Sequence, residues 1–271
     1  MNLRLEDVSF TYPSGVTALE HVSLTVREGE AVALVGENGA GKTTLAKHLN
    51  GLLRPTHGGV WVGDQDTRRH SVARLARSVA FVFQNPDEQL FERTVRAEVG
   101  FGPRNFGAGP AEIEARVQAA LSRLELQDFA DRHPYDLHLS QRKRVAMAAA
   151  LAMDTPILVL DEPTIGQDAG GVALVGGLVE SLKAEGRTLV AITHDVDFCA
   201  EHFERVVVMA DGRLLADGPA GEVLAQGDLL AEAAVEQPQL VRLAAALGWR
   251  ETPLTVEAFV DLLAARRKDG T

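Results

Sequence analysis

Along the start of the chain, residues 2–12 and 22–26 alternate apolar and polar side chains, the period of half-buried antiparallel strands. Pro13-Ser14-Gly15 supplies a turn between them. From Glu30 the pattern changes to AVALVGENGAGKTTLAKHLNGLL, which reads as a short strand, a glycine-rich loop and a helix. Residues 79–83 (VAFVF) form another apolar run, 111–130 carry the period of an amphipathic helix, and 140–153 read as an alanine-rich helix. The continuous apolar runs ILVL at 157–160 and TLVAIT at 188–193 predict parallel strands buried on both faces, with a helix around 170–185 between them. RVVVM and GRLLADG, within 205–218, predict a hairpin turning at Asp211-Gly212. Beyond residue 220 helical patterns follow at 221–234, 238–247 and 255–267. Strands alternating with helices predict an α/β fold with a mostly parallel core sheet, preceded by an antiparallel β layer and followed by a short helical extension. The sequence carries no internal repeat.

Composition narrows the class. With 271 residues, 46% hydrophobic and 24% charged, the chain is long enough to bury a core without staples. The single cysteine, Cys199, excludes an intrachain disulfide and a cysteine-built zinc site, and favours a reducing compartment. The start, MNLRLEDVSF, lacks the apolar centre of an export signal, and no run approaches the roughly 18 to 20 apolar residues of a membrane span. Thirty-eight acidic residues against 27 basic ones give a net charge of −11, which weighs against nucleic-acid binding.

The densest chemistry lies in Gly36-Glu37-Asn38-Gly39-Ala40-Gly41-Lys42-Thr43-Thr44, a full match to G-x-x-x-x-G-K-[ST] between a strand and a helix. Glycines at 36, 39 and 41 let successive N–H groups converge on phosphate oxygens, and the helix adds its positive end. Lys42 then brings a charge to the β- and γ-phosphates, and the Thr43 hydroxyl offers a hard oxygen to Mg²⁺. Far downstream, Ile157-Leu158-Val159-Leu160 is followed by Asp161-Glu162, two carboxylates at the C-terminal end of a buried strand, where α/β sheets bind ligands. Phosphoryl transfer divides labour between such groups: Asp161 would hold Mg²⁺ through water and Glu162 would polarise the attacking water.

With these motifs in order, the sequence resembles the ATP-binding-cassette (ABC) ATPases over about residues 1–220. The resemblance implies a phosphate-loop NTPase cassette using ATP and Mg²⁺, with a helical subdomain at about 86–150 and a helical C-terminal extension at 221–271. Tyr12 matches the aromatic that stacks on adenine, and Gln84 the lid glutamine that touches Mg²⁺ and the attacking water. Asp168 matches the aspartate of the loop crossing the dimer interface, and His194 the switch histidine at the γ-phosphate. The run from Phe83 to Phe91, followed by Thr94-Val95, Glu98-Val99 and Phe101-Gly102-Pro103, is more specifically similar to the ATPases of energy-coupling-factor importers. That likeness implies a transmembrane partner contacting the region from Gln84 to Pro103, a peripheral place on the cytoplasmic face of the membrane, and uptake of vitamins or transition-metal ions. Leu90, Phe91 and Phe101 are then candidates for an exposed groove, or else they pack inside the helical subdomain. Pro238-Gln239-Leu240 and Leu243 are similar to the extension such ATPases carry.

One motif departs from the pattern. The family's Leu-Ser-Gly-Gly-Gln aligns without a gap on Leu137-His138-Leu139-Ser140-Gln141; a gapped alternative would place Leu139-Ser140 on its Leu-Ser and delete both glycines. In the ungapped reading His138, Ser140 and Gln141 are the residues presented to a nucleotide held by a second ATPase subunit. Leu139 and Ser140 place Cβ atoms where glycine would allow close approach to phosphate. Slower hydrolysis at that composite site is expected, and with it a heterodimer in preference to a homodimer. The leading reading is the ATPase of a membrane importer; the alternatives are a regulatory or catalytically weak half of an asymmetric pair, or an ABC ATPase unconnected with transport.

Overall fold

In a computed structural model, which describes residues 1–268, the chain forms two sheets and a set of helices, numbered here in chain order. The first sheet holds β1 (Leu3–Thr11) and β2 (Thr17–Val26), with β4 (His57–Val62) and β5 (Gln65–Asp66), in the antiparallel order β2-β1-β4-β5. Two details were hidden in the sequence pattern. β2 begins at Thr17 rather than residue 22, because the pairing with β1 is bulged and Asp7 and His21 take positive φ (51° and 53°), which breaks the alternation. β4 was concealed by Gly58 and Gly59: a Cβ on Gly58 would lie 2.2 Å from the Asp7 carbonyl, and the Trp61 ring folds over Gly59. The Arg4 guanidinium caps the outer face of that ring at 4.6 Å.

The second sheet is the one the apolar runs predicted. β3 (Ala31–Val35), β6 (Val79–Val82), β7 (Ile157–Asp161), β8 (Thr188–Ile192) and β9 (Arg205–Ala210) run parallel, and β10 (Arg213–Pro219) returns antiparallel after Asp211-Gly212. The order is β10-β9-β3-β8-β7-β6. Every residue of β3, β6, β7 and β8 is buried, so alternate side chains feed two cores: Ala31, Ala33 and Val35 face one, Val32 and Leu34 the other. The connections place α1 (Lys42–Leu49) after β3, α2 (Val72–Leu75) before β6, α6 (Ala169–Ala184) between β7 and β8, and α7 (Val196–His202) between β8 and β9.

Between β6 and β7 lie α3 (Val95–Asn105), α4 (Pro110–Arg123) and α5 (Leu139–Ala152). The sequence pattern missed α3, because Gly100, Gly102 and Pro103 read as loop; in the fold Thr94 caps its start, and a Cβ on Gly102 would press to 2.5 Å from Met153 Cγ. The helix expected over 111–130 stops at Arg123, where Glu125 turns to a φ of 54°, and only a 3₁₀ turn follows at Gln127–Phe129. The helix expected over 221–234 is two short ones, α8 (Ala220–Val223) and α9 (Gly227–Glu232). α10 (Gln239–Ala246) and α11 (Val256–Lys268) match their predicted positions. Trp249 stacks on Phe259, and the Arg266 guanidinium lies 4.8 Å from the Trp249 ring. Among the described residues no helix is long and apolar enough to cross a membrane.

Candidate functional site

The loop between β3 and α1 has the shape its glycines dictate. A Cβ on Gly36 would sit 2.2 Å from the Met209 carbonyl oxygen, and one on Gly41 (φ 97°) 2.4 Å from that of Ala18. Both positions therefore need glycine for space, and Gly41 for conformation as well. Gly41 ends the loop without a side-chain cap on α1, so the first-turn N–H groups have no competing side-chain acceptor and point to an anion. The Lys42 side chain is buried, and its Nζ donates to the carbonyls of Gly36 (2.7 Å) and Glu37 (2.8 Å). Burial holds the Lys42 ammonium below its ordinary pKa, while Glu162, Asp161 and Glu37 pull the other way.

The two carboxylates emerge at the end of β7 beside this loop. The Thr43 hydroxyl donates to Asp161 Oδ2 at 2.9 Å, and Asp161 Oδ1 is buried without any partner. Burial pushes the Asp161 carboxyl above its ordinary value, with the Thr43 bond opposing. A hydroxyl and a carboxylate with one oxygen left unpartnered are the hard donors that Mg²⁺ takes, so these two residues fit the ion. Glu162 is 4% exposed, has a φ of 50°, and donates its N–H to the Ile192 carbonyl at 2.7 Å. Its Oε2 meets His194 Nδ1 at 2.9 Å, and the rest of the imidazole faces solvent.

A groove of about 500 Å³ opens over these groups, lined by Tyr12, Asn38, Gly39, Gly41 to Thr44, Gln84 and Glu162. Of the predicted residues, Gly36 and Ala40 are buried beneath the loop, Asp161 stands behind Thr43, and His194 joins through Glu162. The Tyr12 hydroxyl bonds the Thr44 hydroxyl at 2.9 Å, and its ring packs edge-on to Phe10. His138, Ser140, Gln141 and Asp168 are not brought to this groove. The Gln141 side chain accepts the His138 N–H at 3.1 Å, closing the start of α5, and Asp168 caps α6 by accepting the Gly171 N–H at 2.8 Å.

Sequence reasoning missed two contributors. Gln89 accepts the Phe83 N–H (3.2 Å) and donates to the Ala146 carbonyl (3.1 Å), which pins the loop carrying Gln84 to α5. Lys143, within Arg142-Lys143-Arg144, is 1% exposed and its Nζ has no partner; Glu162 and Asp161 attract its charge. The basic run was a signal, but it reads as a solvated face.

A second groove, of about 530 Å³, lies beside α3 and is lined by Phe91, Phe101, Phe106, Met153 and Glu98, with Arg74 and Arg77 also on its wall. Phe91 is 61% exposed and Phe101 half-buried, their rings 4.7 Å apart. Leu90 does not join them: it is buried in the core, and its carbonyl accepts the Tyr135 hydroxyl. The buried Glu98 carboxylate holds the turn before α3 by accepting the N–H groups of Phe91 (2.8 Å) and Glu92 (2.7 Å).

A family model described as ABC transporter matches residues 19–165, from β2 through the turn after Glu162. The chain belongs to this family. The cassette is 43% identical over 244 residues to a cobalt import ATP-binding protein, CbiO, of Rhodobacter capsulatus, covering 89% of this chain and 87% of that one. It is 39% identical over 240 residues to an energy-coupling factor transporter ATP-binding protein, EcfA, of Methanocaldococcus jannaschii, covering 88% and 86%. Among solved structures, cbiO1 from Clostridium perfringens, part of the ABC transporter complex cbiONQ, superposes with a TM-score of 0.75 at 33% identity, covering 91% of this chain and 98% of that one. The cassette spans only 39% and 45% of the length of two further curated relatives, putative ABC transporter ATP-binding proteins of Methanosarcina acetivorans and Caldanaerobacter subterraneus.

Proposed function

We propose that the chain hydrolyses ATP as the motor subunit of a membrane importer of the energy-coupling-factor or cobalt-import kind. The observation that carries this is the bonding of Thr43, in the first turn of α1, to Asp161 at the end of β7, and of the adjacent Glu162 to His194 after β8, with Thr43 and Glu162 both lining the groove of the glycine loop. In this reading Lys42 exchanges its two carbonyl acceptors for the β- and γ-phosphates. Thr43 and Asp161, with Gln84, would hold Mg²⁺, and the ion when bound would supply positive charge against the phosphates. Glu162 orients the water whose oxygen attacks the γ-phosphorus as the bond to ADP breaks, and His194 fixes the Glu162 carboxylate while its free edge faces the γ-phosphate. Tyr12 offers a ring for the adenine.

The groove lacks residues 137–141, so in this reading they complete the site of a second cassette, and two subunits close over two nucleotides. The apolar groove around Phe91 and Phe101 takes the transmembrane subunit on the cytoplasmic face. Vitamins and transition-metal ions are both compatible as cargo. The Cβ-bearing Leu139 and Ser140 favour a second reading, in which this chain is the weaker half of an unlike pair. Glu162→Gln tests the motor directly: ATP turnover should fall at least about 100-fold with nucleotide binding retained. An unchanged rate removes this chain's own site from catalysis.

A further inference from the structure

Two segments that the nucleotide groove does not use touch each other within the chain. The Gln167 side chain, in the turn that leaves Glu162, donates through Nε2 to the carbonyl of Ser140 in the first turn of α5, at 3.1 Å. Its other amide atom, Oε1, is buried with no partner. The neighbouring residues are shaped around this contact. A Cβ on Gly171 would lie 2.5 Å from Gln167 Oε1, so the amide occupies space that only glycine leaves at the start of α6. A Cβ on Gly166 would meet Leu139 Cδ2 at 3.4 Å, so the leucine already rests against the same turn. Leu139 is nevertheless 45% exposed, and its contact with Gly166 is to the turn rather than to the core. Back along the chain the turn is stitched to the carboxylates: Gln167 N–H donates to the Thr164 carbonyl at 3.1 Å, and Ile165 N–H to that of Glu162 at 3.4 Å.

We propose that Gln167 is a positioning residue that locks the turn after Glu162 to the first turn of α5, so that nucleotide in this chain's own groove fixes the 137–141 segment presented to a partner. The inference rests on the nucleotide reading above. A backbone carbonyl has two lone pairs, so Ser140 accepts Gln167 without giving up its helical bond. Leu139, where the family has glycine, then has a use within the chain: its side chain rests on the turn beside the chain's own Glu162, while Ser140 contributes its backbone carbonyl. Coupling of this kind needs a contiguous set of contacts with a site at each end, and the series supplies it: Glu162 to Ile165, its chain neighbour Thr164 to Gln167, and Gln167 to Ser140.

The test is amide hydrogen exchange in the full chain with and without saturating Mg–ADP, with affinity measured in parallel by calorimetry. In the native chain nucleotide should slow exchange in the first turn of α5 at least about fivefold. Gln167→Met and Gln167→Glu, which keep length but lose the donor, should cut that slowing below about twofold and leave nucleotide affinity within about twofold. Gly171→Ala should do the same with residue 167 unchanged, because the added methyl pushes the Gln167 amide aside, and Ala in a helix does not endanger folding. Undiminished slowing in all three variants overturns the latch. Binding without slowing in the native chain overturns it too, and leaves the motor reading intact; failure to bind nucleotide at all overturns both.

Discussion

At the scale of single residues, Lys143 makes the sharpest demand on the fold. Its ammonium is buried without an acceptor, and desolvation outweighs the attraction of Glu162 and Asp161, so its pKa falls from 10.5 to about 8. Between those values the unfolded chain holds more protons than the folded one, so this group adds stability as pH rises from about 8 towards 10.5 and subtracts it below. Lys143→Met should therefore raise stability at pH 7 by about 2 kcal/mol in urea titrations of the metal-free protein, and should lose the rise between pH 8 and 10. Equal stability of both forms across that range would show that the ammonium is solvated. The candidate site residues stood out in the sequence because phosphate chemistry would concentrate them: nine consecutive positions from Gly36, and Asp161-Glu162 directly after four apolar residues. Lys143 was illegible for the opposite reason. Its two arginine neighbours do reach polar partners, Arg142 at Asp87 and Arg144 at the Leu124 carbonyl, and only the helical turn sends the middle residue inward.

At the scale of elements, the start of α5 is what the chain would offer a second subunit in the proposed pair. His138 and Leu139 are exposed there, and Ser140 half-buried, where glycines would leave bare backbone N–H groups. Replacing residues 138–140 by Ser, Gly and Gly should raise steady-state ATPase of the assembled pair severalfold by opening the approach to phosphate. An unchanged or lower rate would mean that the present side chains already serve that site. The elements that sequence patterning missed share one cause. β4 and α3 are built around glycines whose missing side chains make room for a neighbour: Gly58 for the Asp7 carbonyl, Gly59 for Trp61, Gly102 for Met153. Such residues look like loop to any reading of local period, and only the tertiary contact explains them. The buried strands β3, β7 and β8 were plain because both faces are covered and no alternation is needed.

At the scale of the whole molecule, the nucleotide groove and the phenylalanine groove are separate surfaces joined through α5, which Gln89 ties to the Gln84 loop and whose Ala149 lines the second groove. Phe91→Asp with Phe101→Asp should lower recovery of the chain with the proposed transmembrane partner about tenfold, while nucleotide binding by the isolated chain stays as it was. Full recovery with both charges in place would move the docking surface elsewhere. The two tryptophans carry a further consequence. Trp61 lies under Arg4 in the antiparallel sheet, and Trp249 lies between Phe259 and Arg266 beside α11, a helix with no fully buried residue from Val256 to Arg267. They are the chain's only two indoles. Neither lines the candidate nucleotide groove, so one indole reports on the antiparallel sheet and the other on the C-terminal helices. Replacing either one by phenylalanine turns intrinsic emission into a single-site gauge, able to time the loosening of the C-terminal helices against that of the β layer without any attached dye.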